Sequence, residues 1–229
     1  MSRVSDHSLH KEWIFPKEDK NFDLFLEYYG DQPNQFSDDC EYYSACKTGT
    51  LFLRMHEIIK NNPFIFDYDA IWITCDDIST NATNINKMFE TFMSNNLWLA
   101  QPALTRDSHH THRITLQKRG NILRYTNFVE VMVPLFTPYA LSVCWNTFAK
   151  NRSAWGIDLI WPKLLGKPKD KIAIIDATPV KHTRPVGGGT LYKDVNGSHH
   201  DDLARICKEY NLNNPFNFKT YGTIKMEES

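Results

Sequence analysis

Tyr68-Asp69-Ala70-Ile71-Trp72-Ile73-Thr74-Cys75-Asp76-Asp77 decides the reading of the fold. Its apolar centre is short, β-branched and aromatic, so Tyr68–Thr74 reads as a buried strand. The run stops abruptly at Cys75-Asp76-Asp77. In open α/β sheets the carboxyl ends of strands face the ligand crevice. Two adjacent carboxylates at such an edge repel unless a cation or solvent offsets their charge. Hard divalent cations suit carboxylate oxygens and bridge protein to phosphate. The plainer alternative is a loop of two solvated aspartates that cap the next helix.

Working outward, Phe22–Tyr29 is rich in strand formers and ends at the turn signal Gly30-Asp31-Gln32-Pro33. Thr50–Asn61 carries Leu51, Phe52, Met55, Ile58 and Ile59 at helical spacing and closes at Asn61-Asn62-Pro63. Ile85–Asn95 reads as a second helix, and Leu97–Ala100 as a short strand. Phe128–Phe136 is predicted as a strand with an irregular end at Pro134. Pro138 opens a helix through Ala149. Trp155–Leu165 holds another helical stretch, with Pro162 expected in a first turn. Lys171–Ile175 reads as a strand and Asp201–Tyr210 as the last helix. The polar segment from Asn211 is expected to wrap the surface or fray. Strands alternate with helices, which predicts an α/β architecture with a largely parallel or mixed sheet.

At 229 residues with 41% hydrophobic content, the chain has enough apolar material for one sizeable domain, which excludes a disordered chain. Lys and Arg number 26 against 27 Asp and Glu, a formal net charge of -1. Such a chain has no bulk electrostatic reason to coat nucleic acid or an anionic membrane, so any anionic ligand needs a local site. There is no membrane-spanning apolar run and no apolar signal core in Met1–Lys11. The five cysteines are scattered without a CxxC pair, which argues against a disulfide framework or structural zinc and for a reducing, cytoplasmic setting.

Two more stretches carry chemistry. In Trp155-Gly156-Ile157-Asp158 the acid can serve as a general base, or simply as a first-turn helix acid. In Val180-Lys181-His182-Thr183-Arg184-Pro185, followed by Gly187-Gly188-Gly189, His182 can ligate a metal and Arg184 can grip phosphate. The alternative there is a solvated loop. His109, His110 and His112, and His199-His200-Asp201-Asp202, match no zinc spacing and are expected in solvated polar loops.

Together these segments resemble the DUF707 family of glycosyltransferase-like proteins. The likeness rests on Tyr68–Ile78, Leu99–Leu104, His112–Thr115, Phe128–Phe136, Ala154–Asp158 and His182–Pro185, in family order across roughly residues 20 to 190. It implies a GT-A-type, Rossmann-like α/β/α sandwich with a mixed, mostly parallel central sheet. It also implies a divalent metal, Mn2+ or Mg2+, and a nucleoside diphosphate sugar donor with UDP as the nucleotide. The acidic motif falls on Cys75-Asp76-Asp77, where Cys75 replaces the first acid, Asp76 is the compensating carboxylate and Asp77 is the metal-binding position. His182 would be the C-terminal metal ligand and Asp158 the base of an inverting transfer to a carbohydrate acceptor.

Asp6, His7, Tyr29 and Asp31 would seat base and ribose, Lys47 and Arg184 would add positive charge, and Cys75 would border the donor. Glu130, Trp155, Gly156 and His112 would meet the acceptor, since an aromatic face packs on the apolar face of a sugar ring. Residues of about 1–100 would form the nucleotide-sugar half, about 101–195 the acceptor half, and 196–229 a C-terminal helix and tail of one domain. The chain is expected to begin near the nucleotide-binding edge, with no membrane anchor or partner domain within it. Two other readings stand beside this one: a metal-dependent nucleotide-sugar phosphohydrolase, and a non-catalytic glycan- or nucleotide-binding module supported by Cys75.

Overall fold

The computed structural model describes residues 1–150, 152–186 and 199–227; the Gly187–Gly189 run lies outside them. The elements in chain order begin with β1 (Ser2–Val4), α1 (His10–Trp13), β2 (Phe25–Tyr28), β3 (Tyr42–Ala45) and α2 (Leu51–Asn61). Then come β4 (Ile71–Trp72), β5 (Ile78–Ser79), α3 (Ala82–Ser94), β6 (Leu99–Leu104), β7 (Asn121–Thr126) and β8 (Leu135–Phe136). The chain continues through α4 (Pro138–Cys144), α5 (Ile157–Leu164), β9 (Ile172–His182), α6 (His199–Glu209) and β10 (Thr220–Lys225).

β1, β2 and β3 pair in parallel. A parallel bridge between Ser2 and Thr74 joins this sheet to the acidic strand. Beyond it the order is β4-β8-β6-β9-β7-β10, with β6–β9 parallel and the other pairings antiparallel. One core cluster packs α2, α4 and α5 on one face through Phe52, Met55, Leu141 and Trp161. The other packs α1 and α3 on the opposite face through Trp13, Ile85, Met88 and Phe92. The expected α/β layering is therefore present. Between β7 and β9 the buried Arg124 guanidinium grips Asp176 at 2.7 and 3.0 Å.

Several local expectations need correction. Phe128–Phe136 is not one strand; only Leu135–Phe136 pairs. Phe128, Val129, Met132 and Val133 are all buried, so the stretch is filled on both sides without alternation. Its backbone instead supports the acidic strand: Ile73 N–H donates to Pro134 O at 2.9 Å and Cys75 N–H to Met132 O at 3.2 Å. Pro162 lies inside α5 rather than in its first turn. It lacks the N–H that would bond the Asp158 carbonyl.

The tail does not simply wrap the surface, because Thr220–Lys225 forms the edge strand β10 against β7. Only Gly222 and Ile224 of β10 are sheltered, which leaves little apolar signal. The edge strand β3 and the strand β7 were not anticipated either. β6 and β9 both run further than expected, and β9 continues past Pro179 to deliver His182 to the sheet's edge. Among the described residues no helix is long and apolar enough to cross a membrane.

Candidate active site

The turn after β1, the acidic stretch after β4 and the end of β9 meet at one edge of the sheet. They border a cavity of about 730 Å³. Cys75, Asp76, Asp77, His182, Arg184, Tyr29 and His7 line one side of it, and Asp158, Glu130, Trp155, Gly156 and His112 also line it. Residues of seven separate sequence segments are thus brought together.

Asp77 and His182 face each other across the β5–β9 pairing. Asp77 Oδ2 lies 3.2 Å from His182 Nε2. His182 Nδ1 is 2.9 Å from the His109 carbonyl oxygen, a contact that assigns its proton to Nδ1 and turns Nε2 toward the cavity. Burial pulls the His182 pKa down, but the Asp77 carboxylate overcomes this and the net shift is upward. Asp77 Oδ1 is buried and has no hydrogen-bond partner among the described residues. A buried carboxylate oxygen without a donor is costly unless a cation or ligand serves it. Asp77 and His182 are thus the residues that could hold a divalent metal. No cluster of three His, Cys, Asp or Glu is found among the described residues. Mg2+ is commonly held by one or two carboxylates, with substrate phosphates and water completing the shell, so Asp77 would supply the carboxylate of such a site, with the His182 imidazole beside it.

Asp76 is otherwise engaged. Its Oδ2 accepts from the Ser5 N–H at 3.0 Å and the Ser5 hydroxyl at 2.7 Å. Its Oδ1 receives Arg184 Nη1 at 3.2 Å, while Arg184 Nη2 donates to the His7 carbonyl. Asp76 therefore aims Arg184 and ties the β1 turn to the acidic stretch. The Tyr29 hydroxyl lies 3.5 Å from Asp76, and the Arg3 guanidinium sits 5.0 Å from the Tyr29 ring centroid. Burial and the two neighbouring aspartates push the Cys75 thiol well above its ordinary range.

Asp158 sits in the first turn of α5. Leu159 N–H donates to its Oδ1 at 2.9 Å and Val131 N–H to its Oδ2 at 3.2 Å. Burial raises its pKa to about 7, against the pull of those N–H donors. Glu130 is also raised to about 7, by burial first and the Asp158 charge second, and its Oε2 is buried without a partner among the described residues.

Gly156 has φ +88, the left-handed region that glycine enters without strain. Trp155 stacks on His199 at 5.1 Å, so the histidines expected in a solvated loop open α6 beside the cavity. His112 packs edge-on against Phe128 at 5.0 Å and Phe218 at 4.9 Å, and so lies in an aromatic cluster rather than a solvated loop.

Three expected residues lie off the cavity wall. Asp6 accepts from the Tyr28 hydroxyl at 2.5 Å, and Asp31 and Lys47 pair with each other at 2.5 Å on the exposed surface. Arg3, Thr111, Leu203 and Phe216 line the cavity without having been anticipated. Arg3 alone left a trace in the sequence, as a charge inside a strand; its Nε lies 2.8 Å from buried Glu27.

No family model matches the chain, and no curated protein matches it. Solved structures do. Residues 1–349 of Staphylococcus aureus TarS in complex with UDP share 8% identity at TM-score 0.51, covering 94% of this chain and 73% of that one. A second S. aureus TarS structure gives 8% identity and TM-score 0.53 over 92% of this chain and 43% of that one. At such identity the likeness speaks for the fold: a mixed α/β fold of GT-A-like type.

Proposed function

We propose that the protein is a metal-dependent glycosyltransferase that moves a sugar from a UDP-sugar to a hydroxyl of a carbohydrate acceptor, with inversion. The observation that carries this reading is the convergence in one cavity of the Asp77–His182 pair, with its unserved carboxylate oxygen, and the buried acid Asp158. The UDP bound to a structure of like fold supports the choice of nucleotide. Asp77 and His182 would hold Mn2+ or Mg2+, and a divalent cation there supplies charge compensation for a departing diphosphate. Arg184, aimed by Asp76, adds a fixed positive charge beside it. Tyr29, backed by Arg3, offers a ring face for the base.

Asp158 as carboxylate takes the proton of the acceptor hydroxyl. The hydroxyl oxygen then bonds to the anomeric carbon from the face opposite the leaving diphosphate. The anomeric C–O bond to the diphosphate breaks, and UDP leaves with the electron pair. Glu130 and Trp155 orient the acceptor, the first by hydrogen bond and the second by its ring.

A thermal-shift screen of UDP and UDP-sugars, with and without Mn2+, tests the reading, because a ligand that binds only the folded state raises the melting temperature. UDP with Mn2+ is expected to raise it, and Asp77→Ala to erase the Mn2+-dependent part. Turnover should require acceptor. Cleavage of the donor that no acceptor stimulates would instead make the protein a hydrolase, and binding without turnover would make it a binding module.

A further inference from the structure

Beyond Asp158 the cavity wall does not end. Leu159, the next residue of α5, lines both the cavity and a second cleft of about 320 Å³. Phe216 faces the cavity and Phe218 the cleft, so one aromatic cluster forms the partition between them. Lys163 follows Leu159 by four residues and so shares its helix face. It is five residues beyond Asp158, about 7.5 Å along the axis at 1.5 Å per residue.

The charge of this cleft is unlike that of the chain. Lys163, Lys167 and Lys219 line it, and no aspartate or glutamate does among the described residues. The molecule as a whole carries a net charge of -1. Lys167 and Lys219 make no ion pair among the described residues, so no carboxylate within the cleft offsets their charge. Lys163 Nζ donates to the Tyr210 carbonyl at 2.5 Å and keeps two further N–H groups. Asn211 and Asn214 also line the cleft, but their positive φ explains them as turn residues. Asn213 and Asn217 have no such backbone reason, and exposed Tyr221 adds a ring face.

We infer that this cleft is an extended acceptor subsite, which takes the acidic part of an oligosaccharide whose reacting hydroxyl lies at Asp158. The inference rests on the transferase reading and narrows its acceptor to glycans that bear carboxylate or sulfate groups. The carboxyls of Glu130 and Asp158 repel an anion at the reacting end, so the charged units belong in the lysine cleft, one step further along α5. The amides and the Tyr221 ring meet the sugar hydroxyls and the ring faces there.

The test is calorimetric titration of the intact protein at low salt with three probes: a galacturonic acid hexamer, a sulfated glucose hexamer and a neutral glucose hexamer. At least one acidic hexamer is expected to bind about tenfold or more tighter than the neutral one. The triple variant Lys163→Gln/Lys167→Gln/Lys219→Gln should lose that preference, while UDP with Mn2+ binds it as it binds the wild type. The single reversal Lys219→Glu should weaken the acidic hexamer alone, which keeps the inference testable should the triple variant fold poorly. Equal affinity for all three hexamers, no binding of either acidic hexamer, or an undiminished preference in the variants overturns the subsite. Failure of UDP to bind the wild type, with acidic hexamers still bound, would overturn the transferase reading and leave the cleft as a glycan site.

Discussion

Asp158, the proposed base, shows what burial does to an acid. Its carboxyl, raised to about 7 by desolvation, is a stronger proton acceptor than a solvated aspartate and is still ionised in half the molecules at neutral pH. Only the ionised form can take the acceptor proton. The turnover rate should therefore rise with pH through about 7 and level off above it, in a pH–rate profile measured at saturating donor. Asp158→Asn should keep donor binding and lose transfer by at least about 100-fold, the low end of what a positioned base contributes. The same shift has a stability sign. The folded pKa lies above the unfolded value of 3.8, so the folded state binds the proton more tightly between about 4 and 7. Stability falls as pH rises through that window. Asn carries no charge, so the stability of Asp158→Asn relative to wild type should be greater at pH 8 than at pH 4, by on the order of 4 kcal/mol. Denaturant melts at the two pH values measure this.

At the level of elements, the site hangs on how short pieces are braced rather than on long regular ones. Gly156 turns the chain into α5 with φ +88, and a Cβ there would stand 3.0 Å from Leu203 Cδ1 and 3.3 Å from Ile206 Cγ2 of α6. Gly156→Ala should lower stability by about 2 kcal/mol, the sum of left-handed strain and close packing against α6, as read from the urea midpoint. The helices α2, α3 and α6 were legible because each keeps apolar residues on one face. The acidic stretch was legible because an apolar strand ends abruptly on two carboxylates. Phe128–Pro134 misled because a strand and a doubly buried irregular segment share the same apolar composition. β3 and β10 escaped because edge strands shelter few side chains. Among the site residues, Asp77 and Asp158 stood at the ends of readable elements, whereas His182 lay beyond the strand read at Lys171–Ile175 and joins the sheet only because β9 continues past Pro179. Phe216 and Leu203 did not, since their place depends on where a polar tail and the last helix come to rest.

Across the whole molecule, near-zero net charge separates two kinds of anion binding. A formal charge of -1 steers nothing from a distance. In the proposed reading the donor end of the cavity would work through groups that are already paired: the shielded Asp77 with His182, and shielded Asp76 with the partly exposed Arg184. Shielded charges are screened little by salt, whereas exposed ones beyond a Debye length of about 10 Å at 0.1 M are screened strongly. Lys163, Lys167 and Lys219 are exposed. Between about 50 and 500 mM NaCl, with Mn2+ held constant, UDP affinity should therefore change by no more than about threefold, while acidic-hexamer affinity should fall by about tenfold or more. Removing the metal with a chelator should do the reverse and abolish the UDP-dependent thermal shift while leaving hexamer binding in place. If salt weakened both ligands in parallel, the two would share one exposed electrostatic surface, and the division of the molecule into a shielded donor end and an open, basic acceptor end would not hold.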